Sequence, residues 1–186
     1  MPTEGLRKAQ ESCARPIVEL GRRLGISCAQ AEVTVSEPLY LEDVFVGQRF
    51  ATGTHAMTAE AIKAYARDYD PQSFHTDEEA AKDSFFCGLA ASGWHTAAIT
   101  MRLQIDSGPR IAGGMIGASG ELSWPKPTRP GDVLHVESEV MEVRPSKSKP
   151  ERGFVVLKSE TKNQKGEVVQ LFVVNLLVWR RPEYGF

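Results

Sequence analysis

The sequence has few cysteines, and their arrangement suggests neither a cross-link nor a bound metal. Three occur in 186 residues, at Cys13, Cys28 and Cys87. An odd number without C-x-x-C spacing indicates neither a disulfide framework nor a zinc knuckle. The four histidines stand at least twenty residues apart, so no two of them can share a helical turn around a metal. We therefore expect no metal and a reducing compartment, the cytoplasm.

The chain also lacks an excess of one charge and a long apolar run. Its net charge is −2, which provides no field to attract nucleic acid or an anionic membrane. The most apolar stretch, VVQLFVVNLLVW at 168–179, is too short for a bilayer span and contains Gln170 and Asn175. The first residues, MPTEGLRKAQ, lack the apolar core of a secretory signal. We expect neither a nucleic-acid nor a membrane partner.

Two missing motifs narrow the chemistry further. No G-x-S-x-G occurs, so a serine-hydrolase elbow is not indicated. The glycine-rich stretch IAGGMIGASG at 111–120 matches neither the dinucleotide fingerprint nor the P-loop. A flexible lead into a strand is the simpler interpretation of that stretch.

The pattern of elements favours one folded domain, residues 36–186, after an extension. Residues 1–35 include Pro16 and Gly25, which interrupt long helices, and we interpret them as poorly packed or disordered. The domain begins with a candidate strand over 48–58. A helix that Thr58 can cap follows and stops at Pro71, and TDEEAAKDSF at 76–85 predicts a short second helix.

A third helix is predicted within GLAASGWHTAAITMRLQI, residues 88–105, because this stretch is apolar on almost every side. Four candidate strands follow, over 115–124, 132–143, 153–161 and 166–180, and the last two form a hairpin. The last strand is apolar on both faces, so both faces should be covered. This order fits an α+β fold in which an antiparallel sheet curls around one helix.

The segment YARDYDPQSFHTD places an acid and an imidazole on either side of a helix-ending proline. In a continuous helix Asp70 and His75 would point about 140° apart. Pro71 breaks the helix, so the turn can bring both side chains toward one point. A carboxylate beside an imidazole is suited to proton transfer. The alternative is that Asp70 only stops the helix and His75 is an ordinary surface or core residue.

A second candidate feature is ASGWH, which predicts Gly93 at the start of the third helix. Free N–H groups at a helix start, together with the helix dipole, can stabilise an oxyanion. Gly93 could equally serve close helix–sheet packing, and Ser92 is either an N-cap or a donor to substrate. Lys126 and Arg129 could meet substrate phosphates, although solvated turn charges are the commoner explanation.

The spacing of these motifs resembles a known family. YARDYDPQSFHTD, followed by FCGLAASG, is similar to the hydratase motif of MaoC-like dehydratases, a group that includes the (R)-specific enoyl-CoA hydratases. ELSWPKPTRPGDVL resembles the family's strand–turn–strand, and the likeness spans about residues 40–181. It implies a hot-dog domain, a curved antiparallel sheet wrapped around a central buried helix, and a homodimer.

The resemblance also implies roles for individual residues. Asp70 and His75 match the pair that holds and activates water, and Gly93 matches the glycine whose N–H meets the thioester oxygen. Ser92 and Trp94 would contact substrate, but they replace a histidine and an aliphatic residue that are common in the family. These two departures leave the acyl-chain preference open.

The implied reaction is reversible hydration of a trans-2-enoyl-CoA to the (R)-3-hydroxyacyl-CoA. Coenzyme A would enter as part of the substrate, with no separate cofactor. Two alternatives remain open. A hot-dog thioesterase would direct water at the thioester carbon, and a non-catalytic subunit would bind acyl-CoA without turnover.

Overall fold

The computed structural model describes residues 37–182, so the predicted extension over residues 1–35 lies outside the described residues. A short 3-10 turn over Leu41–Asp43 precedes the named elements. In chain order these are β1 Arg49–Ala51, β2 His55–Ala56, α1 Ala59–Tyr69, α2 Ser73–Thr76, α3 Glu78–Lys82, α4 Gly93–Ser107, β3 Ile116–Ser123, β4 Val133–Pro145, β5 Arg152–Lys162 and β6 Val168–Trp179.

The sheet has six strands in the order β1-β4-β5-β6-β3, and β2 pairs with another part of β4. All these strand pairs are antiparallel. Val140 stands opposite Leu157, which stands opposite Val174, so apolar residues form a row across the three long strands. Burial alternates along β5, as expected for a sheet with one face against a core. β3 is an edge strand with mostly exposed side chains.

Two apolar clusters hold the layers together. One joins β4 and β6 to the helices and includes Met57, Ile62, Leu103, Leu134 and Val169. The other lies toward the opposite end of the long strands and includes Leu41, Val140, Leu157, Val174 and Val178. The helix α4 packs on β4 and β6. The predicted arrangement of one helix against an antiparallel sheet is therefore confirmed.

The face of α4 that meets the sheet is polar. Thr96, Thr100 and Gln104, four residues apart, are all at least 98% buried. Thr96 Oγ1 donates to Thr128 Oγ1 over 3.0 Å, the hydroxyls of Thr100 and Thr161 lie 2.7 Å apart, and Gln104 Nε2 donates to Ser159 Oγ over 2.9 Å. Buried polar groups need partners, and this polar layer supplies them.

The opposite side of α4 is open in the described chain. Trp94, Met101 and Ile105 are 62%, 41% and 57% exposed. The sequence predicted a helix that is apolar on almost every side, but apolar composition does not reveal which neighbour covers each side chain. None of the helices in residues 37–182 combines the length and apolarity needed to cross a membrane.

The local signals around the first two helices behave largely as predicted. Thr58 Oγ1 accepts the Ala61 N–H over 3.1 Å, and α1 ends at Tyr69, before Asp70 and Pro71. Two features differ. The first predicted strand is divided into β1 and β2, and the turn after Pro71 contains the short helix α2, which is too brief to show a periodic pattern.

Candidate active site

Asp70 and His75 meet across the proline-broken turn. Asp70 caps the C-terminal end of α1 with φ −154° and ψ 68°, and His75 lies in α2. The distance from His75 Nε2 to Asp70 Oδ2 is 3.5 Å. His75 is 95% buried, whereas the Asp70 side chain retains 20% exposure. The structure thus brings the two residues of the D-x4-H motif to one point.

The backbone fixes which nitrogen of His75 carries its proton. Nδ1 lies 2.8 Å from the carbonyl oxygen of Ala90, which can only accept. A neutral His75 therefore donates from Nδ1 and presents the lone pair of Nε2 toward Asp70. Two acceptors that face each other at 3.5 Å are stabilised when a donor, such as a water molecule, bridges them.

Two donors orient the Asp70 carboxylate. Ser92 Oγ donates to Oδ2 over 2.7 Å, and Gln72 Nε2 donates to Oδ1 over 2.7 Å. Burial acts to raise the pKa of the Asp70 carboxyl. The hydrogen bonds from Ser92 and Gln72, with a smaller effect of the positive charge that His75 carries when it is protonated, outweigh burial and hold the pKa below its usual value. Asp70 is therefore ionised at neutral pH.

Ser92 and Gly93 form the start of α4 beside this pair. Ser92 Oγ accepts the Trp94 N–H over 3.3 Å, which makes Ser92 the N-cap, and the same hydroxyl donates to Asp70. Gly93 is the first residue of the helix, so its N–H has no intrahelical acceptor. Among the described residues no backbone carbonyl outside the helix accepts it either.

The structure also supports the packing explanation for Gly93. A Cβ atom built at this position would lie 2.6–2.9 Å from three ring carbons of Trp124. Such contacts are too short for carbon atoms, so the indole of Trp124 occupies the space of a side chain at residue 93. A residue that lines the cavity, whose N–H has no backbone acceptor among the described residues, is thus also the site of a close aromatic contact.

A cavity of about 510 Å³ surrounds these groups. Its polar lining includes Asp70, His75 and Ser92, and its apolar lining includes Phe85, Phe86, Trp94 and Trp124. A few polar groups within an apolar cleft are typical of small-molecule sites. No group of three His, Cys, Asp or Glu side chains within residues 37–182 could hold a metal ion.

A cavity of similar volume, about 550 Å³, lies over β1, β4 and β5. Its charged residues form ion pairs with one another, such as Arg49 with Glu139 and Lys162 with Glu137. Its described lining contains one aromatic residue, Phe50, and no histidine, and most of the other lining residues are charged or polar, so we regard it as a solvated face of the sheet.

Arg129 has a different role from the one weighed from the sequence. Its guanidinium donates to the carbonyl oxygens of Phe86, Gly88 and Leu89. It thus holds a tight loop in which Cys87 has φ +50°, an unusual value for a residue with a side chain. Lys126 lines the cavity and pairs with Glu167 over 2.6 Å. The sequence offered no local signal for the Arg129 contacts.

Comparisons with known proteins identify the family and the fold. Residues 41–163 match the family model described as the MaoC like domain. A solved MaoC-like dehydratase from Rhodospirillum rubrum is 60% identical, with TM-score 0.76, and the match covers 77% of this chain and 99% of that chain. The protein YdeM of Bacillus subtilis is 34% identical over 128 residues, which are 67% of this chain and 88% of YdeM.

A more distant structure has the same fold. The (R)-hydratase PhaJ1 of Pseudomonas aeruginosa, in its unliganded form, is 22% identical with TM-score 0.60, and the match covers 77% of this chain and 88% of that chain. The chain therefore belongs to the MaoC-like domain family and has the hot-dog fold of that family.

Proposed function

We propose that this protein is a hydro-lyase that reversibly hydrates a trans-2-enoyl-CoA to the (R)-3-hydroxyacyl-CoA. The observation that carries the proposal is the Asp70–His75 pair, two proton acceptors 3.5 Å apart in a cavity that Gly93 also lines. Two structural relatives, a MaoC-like dehydratase and an (R)-hydratase, support the same class of reaction.

In this proposal Asp70 and His75 hold the reacting water. A water molecule that donates one hydrogen to His75 Nε2 and the other to Asp70 Oδ2 directs its oxygen lone pair at C3 of the substrate. As the oxygen–C3 bond forms, the water loses a proton to the pair, and the pair returns a proton to C2. Positioned acid–base groups of this kind contribute about 10²–10⁴-fold to the rate.

Gly93 would stabilise the charge that develops on the thioester. The electrons of the C2–C3 double bond move toward the carbonyl oxygen, which becomes enolate-like. The Gly93 N–H and the positive end of the α4 dipole are suited to receive that oxygen. One such donor is typically responsible for about 10²–10³-fold in rate. Ser92 and Trp94 would contact the substrate, and coenzyme A would enter as part of it.

We also propose a cytoplasmic homodimer. The edge strand β3 has mostly exposed side chains and is open to pairing. A long open edge is usually paired or covered in natural proteins. Light scattering on the purified protein would measure its mass, and a monomer at micromolar concentration would contradict this part of the proposal.

The direct test is to follow the loss of conjugated enoyl absorbance with crotonyl-CoA as substrate. The wild-type protein should form 3-hydroxybutyryl-CoA, and Asp70→Asn and His75→Ala should each lose at least about 10²-fold in kcat. Asp68→Asn is the matched control, because Asp68 lies two residues away and is exposed. His135→Ala controls for removal of a histidine.

The same assay separates the two alternatives. Free coenzyme A appearing in place of the hydroxyacyl product would support a thioesterase. Binding of crotonyl-CoA and of longer or branched enoyl-CoAs without turnover, unchanged in Asp70→Asn, would support a non-catalytic subunit. Either result would reject the hydratase proposal.

A further inference from the structure

A second cavity adjoins the candidate active site and shares one residue with it. This cavity, about 330 Å³, lies between α4 and the strands β3 and β6. Its apolar lining includes Ala97, Met101, Leu122 and Phe172. Trp94 lines both this cavity and the one that contains Asp70 and His75. Trp94 is therefore the residue at which the described linings of the two cavities meet.

A second tryptophan supports the first. The rings of Trp94 and Trp124 meet edge to face, with centroids 5.4 Å apart and planes at 77°. This is a favoured geometry for aromatic pairs. Trp124 also lies against Gly93, where a Cβ atom would overlap its ring. Trp124 thus contacts two consecutive residues at the start of α4, Gly93 and Trp94.

The indole of Trp124 is held in place by the buried side-chain amide of Gln170. Its Nε1–H donates to Gln170 Oε1 over 2.9 Å, and Gln170 Nε2 donates to Thr100 Oγ1 over 2.9 Å. Gln170 and Thr100 are almost fully buried, and both line the second cavity. Swinging Trp124 aside would leave the Gln170 oxygen without this donor, which is costly in a buried position.

We propose that Trp94, supported by Trp124, forms a wall at the end of the active-site cavity where the acyl chain would lie. This wall restricts the substrate to short enoyl thioesters. The inference rests on the proposed function, since it names the substrate class of that site. The second cavity would accept a longer chain, because most of its lining is apolar, but the indole of Trp94 blocks the way to it. Trp94 is then the residue that determines chain length.

The experiment compares crotonyl-CoA with octenoyl-CoA for the wild type and Trp94→Ala. We expect the wild type to prefer crotonyl-CoA in kcat/KM by at least about 10²-fold, since the longer chain clashes with the wall. Trp94→Ala should raise the ratio of kcat/KM for octenoyl-CoA to kcat/KM for crotonyl-CoA at least about tenfold. Light scattering on the variant checks that its mass equals that of the wild type.

Phe85→Ala is the matched control. Phe85 is an exposed aromatic residue, 94% accessible, that lines the active-site cavity and not the second one. Removing the Phe85 ring leaves Trp94 in place. The ratio of kcat/KM for octenoyl-CoA to kcat/KM for crotonyl-CoA should therefore stay within about twofold of the wild-type ratio. Equal shifts for Phe85→Ala and Trp94→Ala, or no shift for Trp94→Ala, would overturn the proposal.

A binding measurement separates this inference from the proposed reaction. If the wild type hydrates neither substrate, the hydratase proposal fails. The affinities for butyryl-CoA and octanoyl-CoA, measured by calorimetry, then test whether Trp94 limits the length of the acyl chain. Tighter binding of octanoyl-CoA to Trp94→Ala than to wild type, with butyryl-CoA unchanged, supports the wall. If the wild type hydrates octenoyl-CoA as well as crotonyl-CoA, or binds octanoyl-CoA as well as butyryl-CoA, the wall is rejected while the proposed reaction stands.

Discussion

The indole of Trp124 occupies the volume that a side chain at Gly93 would need. The ring carbons lie 2.6–2.9 Å from an ideal Cβ at that position. Packing therefore requires glycine at a residue that also lines the active-site cavity. Any larger residue must move either the tryptophan or the first turn of α4, and both movements change the cavity.

Gly93→Ala should lower both stability and activity, and a smaller residue at position 124 should offset part of each loss. Overpacking of this kind typically costs about 1–3 kcal/mol. In a double-mutant cycle with Trp124→Leu, we expect a coupling of about 0.5–3 kcal/mol in the free energy of unfolding. Urea unfolding of the four proteins measures it. Additive effects would show that residue 93 does not press on Trp124.

Asp70→Asn should remove the charge of the site while preserving its shape. Asp70 has a lowered pKa, so the folded state binds fewer protons than the unfolded state at acid pH. Its contribution to stability is present above the unfolded pKa, about 3.9, and is lost as the pH falls through the folded value. The variant should show a shallower loss of stability on acidification. Urea titrations above and below pH ~4 test this, and parallel curves for both proteins would contradict it.

Arg129→Met should destabilise the protein by about 1–3 kcal/mol, because three partly buried carbonyl oxygens lose their donor. Arg129→Lys should recover little, since one ammonium cannot reproduce the planar fork. Lys126→Met is the control, because the Lys126–Glu167 pair is exposed and worth at most about 1 kcal/mol. Thermal and urea unfolding measure the difference, and equal costs at the two positions would reject this role for Arg129.

Loss of Arg129 should also reduce turnover. The loop it holds carries Phe86, whose ring centroid lies 6.0 Å from that of His75 and 5.2 Å from that of Phe74. A loosened loop would leave the imidazole less confined, so kcat should fall while the protein remains folded at low temperature. Activity equal to that of wild type under those conditions would show that the loop does not position His75.

His95 should make the protein sensitive to mild acid. It is 94% buried, stacks on Tyr65 with centroids 4.5 Å apart, and has an unpartnered Nδ1 among the described residues. Burial, with a smaller contribution from the charge of His55, lowers the pKa of the His95 imidazole. The stability that comes from keeping His95 neutral is fully present above the pKa of the imidazole in the unfolded state, about 6.5. It decreases as the pH falls toward the lower pKa of the folded state.

His95→Phe keeps the aromatic stack and removes the titrating nitrogen. We expect the variant to be as stable as wild type above pH ~6.5 and less sensitive to acid below it. Urea midpoints on both sides of that pH provide the measurement. An equally steep loss in the variant would assign the acid sensitivity to other groups.

Local signals made much of the architecture predictable. Thr58 and Pro71 mark both ends of α1, and Gly93 begins α4, because caps and prolines act over a few residues. The hairpin of β5 and β6 follows from alternating apolar residues around a short polar turn. The meeting of Asp70 with His75 was predictable for the same reason, since only one turn separates them.

The remaining contacts depend on distant parts of the chain. Arg129 reaches Phe86 across 43 residues, and Trp124 reaches Gln170 across 46. No periodicity connects such pairs, and a charged or aromatic residue in a turn is usually solvated. The exposed row on α4 was missed for a related reason, because composition shows that a face is apolar and not which neighbour covers it.

The polar layer beneath α4 sets the position of the helix along its own axis. Apolar surfaces are non-directional and would tolerate a slide, whereas Thr96, Thr100 and Gln104 each meet a particular hydroxyl. A shift of one turn, about 5.4 Å, would place each of them opposite the wrong neighbour. The polar layer thus fixes the register of α4 against the sheet. The position of Gly93 at the cavity is therefore determined by contacts that lie roughly 10 Å away along the helix.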